Sequence, residues 1–116
     1  MSEFPPVPIL TGPTGSGKTG LAVELSESFP VEIISADSRQ IIRRLNIGTA
    51  KPTAEERRRV RFHLIDIVEP GAAYSAARFI DDASAAIRTI IEAGHIPLVV
   101  GGTGLYLKAL IDGVVE

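Results

Sequence analysis

Eight consecutive residues, Gly12-Pro13-Thr14-Gly15-Ser16-Gly17-Lys18-Thr19, place a glycine, four residues and a second glycine before a lysine and a hydroxyl side chain. The chemistry this spacing supports is the binding of a phosphate chain. Glycines let successive backbone N–H groups converge on phosphate oxygens where a Cβ would intrude. Lys18 adds a mobile positive charge, and the Thr19 hydroxyl is placed to hold Mg2+, a cation that prefers oxygen ligands. The apolar run Val7 to Thr11 precedes the loop and a helical pattern follows it, so the helix aims the positive end of its dipole at the same phosphates. Such a loop identifies a phosphate ligand but not a reaction.

Two other positions face the same point. In a parallel sheet, ligand-contacting groups sit just beyond the carboxyl ends of strands. Asp37 follows the run Ile33-Ile34-Ser35-Ala36, and Thr103 follows Val99-Val100-Gly101-Gly102. A nucleotide hydrolase with this loop ends an apolar strand with an Asp that supports magnesium, whereas the strand from Ile96 to Val100 ends in glycine. Asp37 is thus the acid at a strand end near the loop. It suits a general base, or an acceptor for an amine or hydroxyl of a second substrate, and it can also cap the segment after it. Thr103 can donate to a phosphate oxygen or cap the last helix. Asp66 sits inside a continuing apolar run and reads as structural, and His63 reads as a strand-end residue or backbone partner. The six aromatic residues are scattered rather than interleaved with arginine, so they form no stacking platform.

The elements that must hold these groups follow from apolar periodicity. Strands are predicted over Val7–Thr11, Val31–Ser35 and Ile96–Val100, a strand or extended segment over His63–Val68, and helices over Lys18–Phe29, Ser75–Ala93 and Thr103–Ile111, while Asp37–Arg44 could form a short helix. Leu21, Ala22, Leu25 and Phe29 give the first helix its apolar spacing, and Pro30 stops it. Ser75 is a good N-cap for the longest helix, with Tyr74 and Phe79 at the positions of a hydrophobic staple and Gly94 as its stop. Asn46 to Thr53 reads as a loop. The fold class is α/β: a P-loop NTPase-like, mostly parallel sheet flanked by helices, in one domain over residues 1–116. Three or four strands fall short of a full doubly wound sheet, so the expectation is the N-terminal part of a longer protein.

With 45% hydrophobic and 22% charged residues the composition is that of a soluble globular chain, expected in the cytoplasm. The lack of cysteine excludes disulfides, thiolate metal sites and cysteine nucleophiles. No apolar run approaches the roughly 20 residues that span a bilayer, so no membrane association is expected. Eight of the twelve Lys and Arg residues lie between Arg39 and Arg61, against only Glu55 and Glu56 there. This asymmetry points either to a polyanionic partner or to a solvated basic face.

Taken together, five segments resemble those of the tRNA dimethylallyltransferases. They are the loop Gly12 to Thr19, Ile33-Ile34-Ser35-Ala36-Asp37-Ser38-Arg39-Gln40, Ile47-Gly48-Thr49-Ala50-Lys51-Pro52, His63-Leu64-Ile65-Asp66, and Val100-Gly101-Gly102-Thr103-Gly104-Leu105-Tyr106. The resemblance runs from Pro8 to Gly113, in the family's order. It implies transfer of a dimethylallyl group from dimethylallyl diphosphate to the exocyclic amine of an adenine beside the tRNA anticodon, with the loop holding the departing pyrophosphate. It further implies catalytic roles for Asp37, Thr103 and Lys18, and donor binding by Gly12, Pro13, Thr14, Gly15, Ser16, Gly17, Lys18 and Thr19. Contacts to tRNA would come from Asp37, Ser38, Arg39, Gln40, Lys51 and Thr103, and Mg2+ would sit on Thr19. The basic segment would meet tRNA phosphates, and the complete enzyme would act as a monomer, with a helical tRNA-binding insertion and a C-terminal part beyond these residues. The 116-residue chain alone would bind diphosphate weakly and modify tRNA inefficiently. Where the family commonly carries Gln-Val-Tyr-Arg-Gly, this chain has Gln40-Ile41-Ile42-Arg43-Arg44, and Asn46 replaces a usual Asp. The nearest alternatives are prenyl transfer to free AMP, ADP or ATP, a small-molecule P-loop kinase, and a diphosphate-binding piece without turnover.

Overall fold

A computed structural model describes residues 6–12, 17–37, 40–44, 51–101, 104, 108 and 110. The elements are β1 (Ile9–Thr11), α1 (Lys18–Ser26), β2 (Val31–Ser35), α2 (Ala54–Arg59), β3 (Phe62–His63), α3 (Ala76–Glu92) and β4 (Ile96–Gly101). The four strands form one sheet in the order β1-β4-β2-β3, and every pairing is parallel. Parallel strands need crossovers, and the helices supply them, covering both faces of the sheet.

Strand alternation divides the core in two. Ile34 and Val99 pack on the α3 side with Phe79, Ala83, Ile87 and Ile90. Ile33, Leu98 and Val100 pack on the α1 side with Ala22, Val23 and Val60. Helix α3 has its staple and caps as expected: Tyr74 and Phe79 join one cluster, and the Ser75 side chain accepts from Arg78 N–H. At its end Gly94 takes φ 81°, while Gly94 N–H and His95 N–H bond back to Ile91 and Ile90 carbonyls. That paired closure requires a left-handed residue, which glycine adopts without cost.

Several expectations are corrected. Helix α1 ends at Ser26, not Phe29, and it buries Ala22 and Val23 while Leu21 and Phe29 stay 47% and 53% exposed. Pro30 disfavours helical backbone at Phe29, so the chain turns early into β2. No helix forms over the described part of 37–44; Ile42 instead makes an isolated parallel bridge to Val68. The strand expected over 63–68 stops at His63, because Leu64 and Asp66 adopt φ 66° and 58°. Helix α2 lies in a stretch with no expected element, held by a capping box between Thr53 and Glu56. Most of the last expected helix lies outside the described residues, although Lys108 N–H bonds to Gly104 O and Leu110 is buried in the core. Among the described residues no helix is long and apolar enough to cross a membrane.

Candidate functional site

The carboxyl ends of the strands and the start of α1 enclose a cleft of about 290 Å³. Gly17 opens α1 at φ 85°, a left-handed turn that a side chain would strain. Lys18 and Thr19 follow in the first turn and line the cleft. Among the described residues no side chain caps this helix start, and its backbone N–H groups and dipole face the cleft. Across from them, Asp37 and Gln40 line the cleft from the segment after β2, with Ser35 at the strand's end. Ile33, Phe62, Val100 and Gly101 complete the wall.

Local hydrogen bonds fix this arrangement. Ala36 N–H donates to Val100 O at 2.9 Å, so the β2 and β4 ends are tied together. Gln40 N–H donates to Asp37 Oδ1 at 3.3 Å, the i to i+3 bond of a helix cap, although residues 40–44 form turns rather than a helix. The Ser35 hydroxyl donates to Gln40 Oε1 at 2.9 Å. Gly101 approaches Ala36 so closely that a Cβ on it would lie 2.8 Å from the Ala36 carbonyl oxygen.

The structure therefore brings together Gly17, Lys18, Thr19, Asp37 and Gln40, with Gly12 just past the end of β1. Pro13, Thr14, Gly15, Ser16, Ser38, Arg39 and Thr103 lie outside the described residues. Lys51 is turned inward: its ammonium binds Asp66 Oδ1 at 2.5 Å and Ile42 O at 2.7 Å, and the side chain is 7% exposed. In this fold it secures the loops beside the cleft rather than offering its charge outward. Asp66 also binds Arg57 at 3.0 Å. Burial opposes ionisation of Asp66, but these hydrogen bonds and charges outweigh it and hold the carboxyl below its ordinary range. Asp66, read in sequence as structural, is engaged by Lys51 and Arg57.

The basic segment also looks different once folded. Arg43 and Arg44 face Glu69, Arg59 pairs with Glu27, and Arg61 lies 4.0 Å from Glu32. Acids brought from elsewhere in the chain thus offset much of a local excess that looked unbalanced in sequence. His63 ends β3 and its Nε2 meets Glu32 Oε1 at 2.7 Å, while His95 Nδ1 meets Oε2 at 2.6 Å. Burial opposes ionisation of Glu32, yet the bonds and charges of His63 and His95 hold its carboxyl below the ordinary range. Strand register places this cluster toward the amino ends of the strands, away from the cleft.

Ser35 and Phe62 escaped the sequence reading. Ser35 carried a signal, a hydroxyl closing an apolar strand two residues before the candidate acid. Phe62 carried none, since its place depends on β3 pairing with Ile33 across a separation of 29 residues. Among the described residues no cluster of three or more His, Cys, Asp or Glu could hold a metal. The Thr19 hydroxyl, in the first turn of α1, is nevertheless the kind of oxygen ligand that Mg2+ takes.

Comparison with known proteins bears on this cleft. The family model described as IPP transferase matches residues 40–116. The tRNA dimethylallyltransferase of Thermus thermophilus is 55% identical over 108 residues, 93% of this chain and 36% of that protein. Its counterpart in Chromobacterium violaceum is 54% identical over 114 residues, 98% of this chain and 35% of that protein. The crystal structure of the full-length tRNA isopentenylpyrophosphate transferase from Bacillus halodurans superposes with a TM-score of 0.85 at 47% identity, covering 91% of this chain and 35% of that one. A eukaryotic dimethylallyltransferase acting on tRNA gives a TM-score of 0.86 at 34% identity, over 97% of this chain and 28% of that one. The chain thus spans about a third of the length of these relatives.

Proposed function

The chain belongs to the IPP transferase family, and from that premise we propose that the protein moves a dimethylallyl group from dimethylallyl diphosphate to the exocyclic amine of an adenine beside the tRNA anticodon. The bond between the allylic carbon and the diphosphate oxygen breaks, a carbon–nitrogen bond forms, and pyrophosphate leaves. One observation carries the reading: a single cleft sets a phosphate-binding helix start, with Lys18 and Thr19, against an acid and an amide, Asp37 and Gln40. Charge builds on the departing pyrophosphate, where Lys18 and the first-turn N–H groups of α1 are placed to stabilise it. Mg2+, when bound at Thr19 with the donor phosphates, would supply further charge neutralisation.

On the acceptor side, Asp37 takes the proton released from the adenine amine, or orients that amine for attack. Thr103, by family resemblance, hydrogen-bonds near the breaking bond, while Ser38, Arg39 and Gln40 touch the target base or its neighbours. The base leaves the stacked anticodon loop to enter, at a cost of about a few kcal/mol. A tRNA substrate fits a cytoplasmic enzyme without membrane attachment, acting as a monomer. In the full chain, Asp37→Ala should cut turnover far more than it weakens donor binding. An unchanged turnover rate would remove Asp37 from the mechanism.

A further inference from the structure

Lys51 and Asp66 form a hub that grips one wall of the cleft, although neither is among the described residues that line it. Asp66 engages all its polar atoms. Its N–H donates to Gln40 O at 3.0 Å, and its carbonyl accepts from Arg43 Nε at 2.8 Å. Its carboxylate accepts from Lys51 at 2.5 Å and from Arg57 at 3.0 Å. The Lys51 ammonium also donates to Ile42 O at 2.7 Å. Gln40, Ile42 and Arg43 are thus each held by one of the pair. Gln40 in turn lines the cleft, and its N–H donates to Asp37 Oδ1 at 3.3 Å. A lysine side chain only 7% exposed has lost most of its water, and its charge is stable there because Asp66 answers it. Such a charge is committed inside the fold.

We propose that Lys51 and Asp66 act as one positioning unit for the acceptor wall, holding segment 40–43 so that Gln40 and Asp37 keep their places, and that Lys51 serves tRNA through this hold rather than through a phosphate contact. This rests on the reading above, in which a tRNA adenine meets Asp37 and Gln40. The donor wall, Lys18 and Thr19, belongs to α1, a separate element, so the pair bears on the acceptor side. Asp66→Asn separates the two roles of Lys51. Asparagine keeps the size of the side chain and tolerates φ 58°, while removing the charge that holds the ammonium. A lysine that meets tRNA phosphate would be released by this change and bind tRNA more tightly. A lysine that positions the wall would lose its anchor, and transfer would fall.

The test compares Lys51→Met, Asp66→Asn and the double variant in the full chain. It reads steady-state transfer to tRNA, pyrophosphate affinity, tRNA affinity against salt, and melting temperature. Each single variant is expected to lower kcat/KM for tRNA by about tenfold, the effect of one lost hydrogen bond, with pyrophosphate affinity unchanged. The slope of log affinity against log salt should stay at the wild-type value in Lys51→Met, where a lost phosphate contact would reduce it by about 0.7–0.9. The double variant removes the buried, unanswered ammonium, so it should melt above Asp66→Asn while its kcat/KM for tRNA stays as low as that of the single variants. Transfer that recovers together with stability in the double variant would reduce the pair to a structural role and overturn the proposal. A reduced salt slope in Lys51→Met, tighter tRNA binding by Asp66→Asn, or an equal loss of pyrophosphate affinity would overturn it as well. In Lys51→Met the Asp66 carboxylate keeps Arg57, so that variant decides the salt slope and the transfer rate even where Asp66→Asn does not fold. A wild-type chain that transfers nothing to tRNA is a different result, and it overturns the transfer reading itself.

Discussion

Gly101→Ala is the substitution whose effect the structure specifies most closely. Gly101 is the last residue of β4, paired with Thr11 of β1 and pressed against Ala36. An added Cβ would lie 2.8 Å from both the Ala36 Cβ and its carbonyl oxygen and 3.1 Å from the carbonyl carbon. Two of these neighbours are backbone, so no side chain can rotate out of the way. Ordinary contact begins near 3.4 Å, about 0.6 Å beyond what is available. Moving the end of β2 by that amount stretches the Ala36 N–H to Val100 O bond from 2.9 Å to about 3.5 Å, where it is largely lost. Overpacking of this kind costs about 1–3 kcal/mol, and the weakened bond about 1 kcal/mol more. Asp37 is the next residue after Ala36, so the same shift displaces the proposed acid. A misplacement approaching 1 Å lowers turnover by about a hundredfold. Urea unfolding should show a lower midpoint at unchanged slope, and steady-state kinetics a fall mainly in kcat. Stability within about 0.5 kcal/mol of wild type together with full turnover would refute this account of the close approach.

Three further outcomes follow from single residues. Arg44 holds φ 66°, a left-handed conformation that suits glycine, and its contact with Glu69 is 78% exposed on the arginine side. Arg44→Gly should therefore raise stability by about 1 kcal/mol in urea unfolding, since the left-handed strain outweighs an exposed ion pair. The Glu32 carboxyl is held below its ordinary value of 4.5, so its contribution is present above that pH and lost as pH falls below it. Glu32→Gln should cost about 2 kcal/mol at neutral pH and flatten the fall in melting temperature below about pH 4.5; an unchanged acid limb would count against the His63–Glu32–His95 cluster. Lys18→Met should weaken pyrophosphate binding, read by calorimetry, by at least about tenfold while leaving the fold intact, because Lys18 contributes charge rather than packing.

The alternation of strands and helices was legible because each buried element carries its own pattern, as in Val31–Ser35 and the apolar stripe of α3. That Lys18, Thr19 and Asp37 would meet at one cleft was legible for a related reason: a helix start after one strand and the end of the next strand lie at the same edge of a parallel sheet. What escaped depends on distant partners. Helix α2 buries none of its residues, so it has no apolar face to detect, although Thr53 and Glu56 spelled its capping box. The segment 63–68 is apolar enough for a strand, but Leu64 and Asp66 turn left-handed as Ile67 and Val68 bond back to Ile41. Lys51 was read as a tRNA contact, and its bond to Asp66, fifteen residues on, appears only in the fold. Glu32 meets histidines 31 and 63 residues away, a separation that no local pattern reveals.

The most direct test of the central claim supplies the purified full chain with labelled dimethylallyl diphosphate and offers tRNA beside AMP, ADP and ATP. The account predicts label on a tRNA adenine next to the anticodon, one pyrophosphate released per transfer, and dependence on Asp37 and Lys18. Label on free nucleotides with none on tRNA, or phosphoryl transfer from ATP without prenyl transfer, would contradict it.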